Sequence, residues 1–103
     1  MSAAAPGDEV HARSVAVEFV RSINARRYER SCALMVSSRN DRATCAIGLR
    51  IGFMWSQEIR FRITGVRLDD DLAIVSALAD GSPGRVVLQR FGDRYRVLRV
   101  EGA

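Results

Sequence analysis

Between residues 8 and 25 the apolar positions Ala12, Val15, Ala16, Phe19, Val20 and Ile23 recur at helical spacing. The pattern predicts an amphipathic helix with Asp8 as its N-cap and Asn24 with Ala25 as its exit. Arg26 and Arg27 follow, where positive charge complements the negative end of the helix dipole. A second, shorter helix is expected over 27–36, with Tyr28, Cys32 and Met35 or Val36 on one side. Ser38 and Asp41 form an S-x-x-D signal that opens a third helix running to about Arg50, on which Cys45 and Leu49 share a face.

After Trp55 the period changes from helical to alternating. Ile59, Phe61 and Ile63 oppose Glu58, Arg60, Arg62 and Thr64, the pattern of a half-buried strand. Asp69, Asp70 and Asp71 make a turn into 72–79, a run apolar on both faces and therefore a central strand. Residues 80–84 read as a second turn, and Gly92 with Asp93 as a short hairpin before the closing strand. In that last strand Arg94, Arg96, Leu98 and Val100 share one phase, which a bulge or a subunit contact would explain. Four strands joined by short turns form an antiparallel meander, and helices grouped before it give an α+β domain. Residues 1–8 are expected to be a flexible lead-in to one domain over 9–103.

Composition narrows the class without naming a chemistry. The chain has 103 residues, 48% hydrophobic and 27% charged, with a formal net charge of +4, and every basic residue is Arg. That is enough for one small core, and neither disordered nor fibrous. No apolar run approaches the length of a membrane span, and no signal peptide is read at the start. The chain is expected to be either a cytoplasmic protein or a soluble part of a longer anchored one. The Arg excess admits an acidic protein or a lipid surface as partner, with Arg60, Arg62, Arg94 and Arg96 as the candidate basic patch. Specific nucleic-acid binding is not expected, because Phe61 faces opposite to Arg60 and Arg62 on a strand.

The helix ending in 19–35, a second cysteine after a short polar gap, and a sheet ending in an aromatic-x-Val strand resemble the nuclear transport factor 2-like superfamily. The chain looks in particular like the small lumazine-binding-like extracytoplasmic domains of high-GC Gram-positive bacteria. The residues carrying the likeness are Val15, Phe19, Val20, Tyr28, Cys32, Leu34, Cys45, Ala73 and Val75, with Tyr95 and Val97 replacing the usual Trp-x-Val. The resemblance implies a cone-shaped domain in which N-terminal helices pack on a curved four-stranded antiparallel sheet and leave a pocket between the layers. It also implies an extracytoplasmic place, membrane-associated in the native context, with the cytoplasm as the alternative. Members of the superfamily include isomerases, cyclases, dehydratases, transport factors and domains that only bind or assemble, so fold does not select among these.

Cys32 and Cys45 are not a C-x-x-C pair, and with the single His11 they supply too few ligands for zinc. They are read as a structural disulfide, with two core thiols as the alternative. Phe19, Tyr28, Met54 and Trp55 are the candidate pocket lining. His11 falls at the rim of the helical stripe and Glu18 faces solvent, while Gln89 and Asp80 are wall candidates with no partner to tune them. No His–Asp couple, paired carboxylates or activated nucleophile can be assembled, so no cofactor, metal or catalytic residue is assigned. The three aspartates at 69–71 lack the spacing of a calcium loop. A non-catalytic binding or assembly module is therefore expected, with a small apolar ligand or a homodimer through the sheet as its partner. An isomerase- or cyclase-like enzyme using Tyr28 or His11, or a purely structural dimerisation domain, is the alternative.

Overall fold

Three helices precede four strands in the computed structural model, which describes residues 7–36, 42–53 and 57–102. Helix α1 spans Asp8–Asn24, α2 Tyr28–Ala33 and α3 Arg42–Phe53. Strands β1 Phe61–Asp69, β2 Leu72–Ala79, β3 Ser82–Phe91 and β4 Arg94–Gly102 form an antiparallel sheet in the order β1-β2-β3-β4. This is the expected α+β arrangement.

Helix α1 begins after Gly7 without a side-chain cap, so Asp8 lies in the first turn rather than capping it. Its exit is a Schellman motif. The Arg27 amide donates to the Ser22 carbonyl (2.9 Å), and the Arg26 amide to that of Ile23 (3.0 Å). Arg26 takes the left-handed position at φ 58, where glycine is usual. Helix α2 is shorter than expected. After Ala33 the chain turns and runs beside β4, with Val97 donating to Leu34 (2.7 Å) and Val36 to Val97 (2.8 Å). Helix α3 continues past Arg50 to Phe53, which keeps the four-residue spacing of Cys45 and Leu49. Its expected start at Ser38 and Asp41 lies outside the described residues.

The turn between β2 and β3 is tighter than 80–84. Only Asp80 and Gly81 form it, at φ 51 and 83, and Pro83 and Gly84 already belong to the strand. The irregular phase of β4 is a bulge: Leu88 pairs Val97 and Val87 pairs Arg99, leaving Leu98 extra. A second bulge between Ile63 and Gly65 resets β1, so that Val66 and Leu68 follow Ile63 onto the inner face.

The core lies between α1 and that inner face. Ala12 and Ala16 let the helix approach closely, and Phe19 and Ile23 fill the space above Ala73, Val75, Leu88 and Val97. The buried Ser22 and Ser31 hydroxyls lie 2.6 Å apart and tie α1 to α2, with Ser22 also donating to the Phe19 carbonyl. A disulfide joins Cys32 to Cys45, Cα atoms 6.0 Å apart, and so ties α2 to α3.

Candidate ligand-binding cavity

Register explains why the inner face leaves a hole. Leu68, Ala73, Leu88 and Val97 form one rung across the sheet, and Val66, Val75, Val86 and Val100 form the next. Both rungs carry enough side chain to meet α1. The third rung is Ile63, Ala77, Gly84 and Gly102, followed by Ala79 beside Phe61. Three of the four residues on that rung have a single methyl or none, and the helices cannot collapse to fill the gap. A cavity of about 320 Å³ results.

Its walls come from every layer. Phe19, Val20 and Ile23 descend from α1, Leu49 and Phe53 from α3, and Ile59, Phe61 and Ile63 from the β1 side. Val86 and Val100 close the far wall, the latter turned inward by the β4 bulge. Arg85 borders the cavity, but its guanidinium is half-exposed and bonds Glu101 on the opposite sheet face (3.0 Å). Among the described residues the lining offers no carboxylate, imidazole or hydroxyl.

A narrow neck of about 20 Å³, room for no more than a water, borders the cavity at Ile23, Phe53 and Ile59 and is lined besides by Asn24, Arg26, Tyr28, Gln57 and Glu58. Asn24 locks one side of this neck. Its amide donates to the Ile59 carbonyl (3.0 Å) and accepts from the Ile59 amide (2.8 Å). Arg26 donates to the Tyr28 hydroxyl (3.4 Å) and the Phe53 carbonyl (3.5 Å). A wider groove between α2 and α3 shares Arg26 and Tyr28 with the neck and is lined also by Arg27, Arg30, Arg50, Glu29 and Ile47 among others.

Of the candidate lining residues, Phe19 is in the cavity wall and Tyr28 is in the neck, while Met54 and Trp55 lie outside the described residues. His11 is exposed and far from the cavity, its ring 5.8 Å from that of Tyr95. Glu18 is ion-paired with Arg30. Gln89 pairs Arg96 on the outer sheet face, and Asp80 accepts from the Arg60 amide (3.0 Å); neither reaches the cavity. The four arginines do not make one patch. Arg62 pairs Leu78 near the start of β1, on one edge of the sheet, whereas Arg94 and Arg96 begin β4 on the opposite edge and at the other end. Arg96 turns back to the Ala33 carbonyl (3.3 Å).

The closed end of the layer pair holds a polar cluster. Arg90, mostly buried on the inner face, reaches Asp8 of α1 (3.4 Å) and Asp71 of the first turn (3.6 Å). Tyr95 lies beside it, and burial first, then the Asp8 carboxylate, pushes its phenol above the ordinary range, against the opposing pull of Arg90. Among the described residues no group of three or more His, Cys, Asp or Glu side chains could hold a metal, and no helix is long and apolar enough to cross a membrane.

No protein-family model matches the chain, and no curated protein matches it in sequence. Solved structures do. A SnoaL-like protein of unknown function from Burkholderia thailandensis superposes with a TM-score of 0.63 at 13% identity, covering 92% of this chain and 95% of that one. A protein from Kribbella flavida with a proposed assignment as a ketosteroid isomerase gives 0.51 at 20% identity, over 95% and 80%. A protein from Thiobacillus denitrificans, proposed to be a calcium/calmodulin-dependent protein kinase type II association domain, gives 0.66 at 17% identity, over 87% and 91%. The chain has the nuclear transport factor 2-like fold.

Proposed function

We propose that this domain is a non-catalytic binding module that takes a small apolar ligand into the cavity between its helices and sheet. The observation that carries the reading is the lining itself: Phe19, Leu49, Phe53, Ile59, Phe61 and Val100 surround a space edged by Ala77, Ala79 and Gly84. Such a site gains affinity from apolar burial, and among the described residues its lining supplies no group able to move a proton. An isomerase would need an acid or base there, and the Tyr28 hydroxyl, in the neck, is engaged by Arg26. The Cys32–Cys45 disulfide and the resemblance of the sequence pattern to lumazine-binding-like domains are what supports an extracytoplasmic place, as part of a membrane- or lipid-anchored bacterial protein.

The test is a neutral fluorescent probe, N-phenyl-1-naphthylamine, titrated against the wild type and Ala77→Leu. The wild type is expected to bind one probe per chain. Ala77→Leu places a larger side chain in the cavity floor and is expected to lower binding at least tenfold without lowering the melting temperature. Absent binding, or binding indifferent to the substitution, would overturn the reading.

A second reading, assembly, is carried by the outer sheet face. There the half-buried Leu72, Ile74 and Leu78 and the exposed Phe91 are the apolar residues that a second copy would cover. Arg67 and Arg99 end the rung through Ile74 and Val87, so self-pairing brings like charges together. Sedimentation showing only monomer at high concentration removes this reading.

A further inference from the structure

We infer that α3 presents a docking face for an anionic phospholipid surface, on which Ile47 and Ile51 enter the acyl boundary while Arg27 and Arg50 hold headgroup phosphates. The face is separate from the cavity and stands whether or not a ligand fills it.

The apolar half comes from the pitch of α3. Cys45, Ala46, Leu49 and Phe53 turn inward, and Thr44, Ile47, Gly48, Ile51 and Gly52 share the opposite, exposed sector. That outward sector carries no charge, where a solvated helix face ordinarily does. Ile47 and Ile51, one turn apart, are 60% and 65% exposed, and neither belongs to the core. Beside them a side chain at Gly48 or Gly52 would meet nothing within 4 Å, so the isoleucines project past bare backbone.

The cationic half borders it. The groove between α2 and α3 has Ala43, Ala46 and Ile47 along its α3 side and Arg27, Arg30 and Arg50 among its walls. Arg30 is ion-paired with Glu18, and Arg26 is engaged by the Tyr28 hydroxyl and the Phe53 carbonyl, so neither is counted. Arg27 and Arg50 are exposed and outweigh Glu29, the carboxylate among the described residues of the groove. Guanidinium forks take phosphate oxygens through paired charge-assisted hydrogen bonds. Ile47 belongs to the groove and to the outward sector alike, so the charged and apolar halves are contiguous. Aliphatic side chains flanked by arginine are the pattern of a helix lying in a membrane interface.

Charge and area select the partner. An acidic protein would satisfy the charge, but a specific protein interface buries about 800 Å² on each partner around anchors seated in pockets. Two isoleucines beside two glycines fall short of that. A bilayer needs only a few apolar side chains and arginines for reversible contact.

The experiment is co-sedimentation of the oxidised protein with vesicles of phosphatidylglycerol and phosphatidylcholine in equal parts, and with vesicles of phosphatidylcholine alone. Three variants are compared: Arg27→Gln/Arg50→Gln, Ile47→Gln/Ile51→Gln, and Arg62→Gln/Arg94→Gln, which removes the same charge elsewhere. All six residues are exposed, and melting temperatures confirm that the variants fold. The wild type is expected to bind the anionic vesicles about tenfold or more tightly than the neutral ones. Arg27→Gln/Arg50→Gln is expected to lose about tenfold or more on anionic vesicles, and Arg62→Gln/Arg94→Gln about twofold, because salt screens charges held away from the surface. Ile47→Gln/Ile51→Gln is expected to lose about tenfold, from the apolar area no longer buried. Equal binding to the two vesicle types overturns the anionic surface. An equal loss in the two arginine variants overturns the placement at Arg27 and Arg50, and full binding by the isoleucine variant overturns the insertion. Absent binding to either vesicle overturns the whole proposal, and capture of soluble polyglutamate in its place would assign the face to an acidic protein.

Discussion

At the scale of single residues, Asn24 illustrates how the site is held open. Its side-chain amide makes the same reciprocal pair of hydrogen bonds with Ile59 that a neighbouring strand would make, and so fixes the chain entering β1 against the end of α1. Asn24→Asp keeps the shape but replaces the donor with an oxygen facing the Ile59 carbonyl. Leaving that half-buried carbonyl unpaired and opposed is expected to cost about 2 kcal/mol. For a chain of this length the melting temperature should fall by about 10 °C, measured by circular dichroism. Protonating the new carboxyl restores a donor, so the loss should shrink in acid; a loss independent of pH would assign the effect to something other than this bond. The sequence marks Asn24 only as a helix exit. Its partner lies 35 residues away, and no local pattern reveals which backbone an amide will meet.

At the scale of elements, legibility followed the length of the period that each element displays. Helix α1 shows its apolar spacing over 17 residues, and its bounds follow from it. Strand β2, apolar on both faces, has neighbours on both sides as expected. The irregular phase of β4 reads as a bulge or a subunit contact, and the bulge at Thr64 is not readable at all, because one inserted residue looks like a defect in alternation until its partner strand is known. The cavity depends on that register. Ala77, Gly84 and Gly102 are unremarkable small residues until pairing places them on one rung.

Helix α3 brings Leu49 and Phe53 to the cavity yet packs chiefly on α2, while Ile47 and Ile51 face outward, 60% and 65% exposed. Among the described residues, the disulfide is therefore the main tie of this wall to the rest of the fold. Reduction opens a loop spanning 13 residues, which is expected to lower stability by about 3 kcal/mol in the chain-entropy model. Amide exchange in α3 should accelerate more than in α1 or the sheet, and probe affinity should fall with it. Uniform acceleration across the chain would mean that the bond stabilises the whole fold without a special role at this wall.

At the scale of the whole molecule the two ends between helices and sheet have opposite character. One is the apolar cavity, and the other is pinned by Asp8, Arg90, Asp71 and Tyr95, which join the first turn of α1 to the far end of the sheet. The pin has a measurable pH signature because the chain contains no lysine and its two cysteines are bonded to each other. Arginine stays charged throughout the alkaline range, so the phenols can be followed there with little else titrating. Burial and the Asp8 carboxylate both disfavour a Tyr95 phenolate, and its folded pKa is raised. The folded state thus holds the phenolic proton more tightly than the unfolded chain does. This contribution to stability is complete below about pH 10, the unfolded value, and is lost as pH rises through the raised folded value. In a Tyr28→Phe background, where Tyr95 alone reports, phenolate absorbance of the native protein should appear at higher pH than in the denatured chain. Melting temperature should hold until about pH 10 and then decline, and adding Tyr95→Phe should flatten that decline. A native titration at or below the denatured one would show that Tyr95 is not shielded by α1, and that the polar end is open to water.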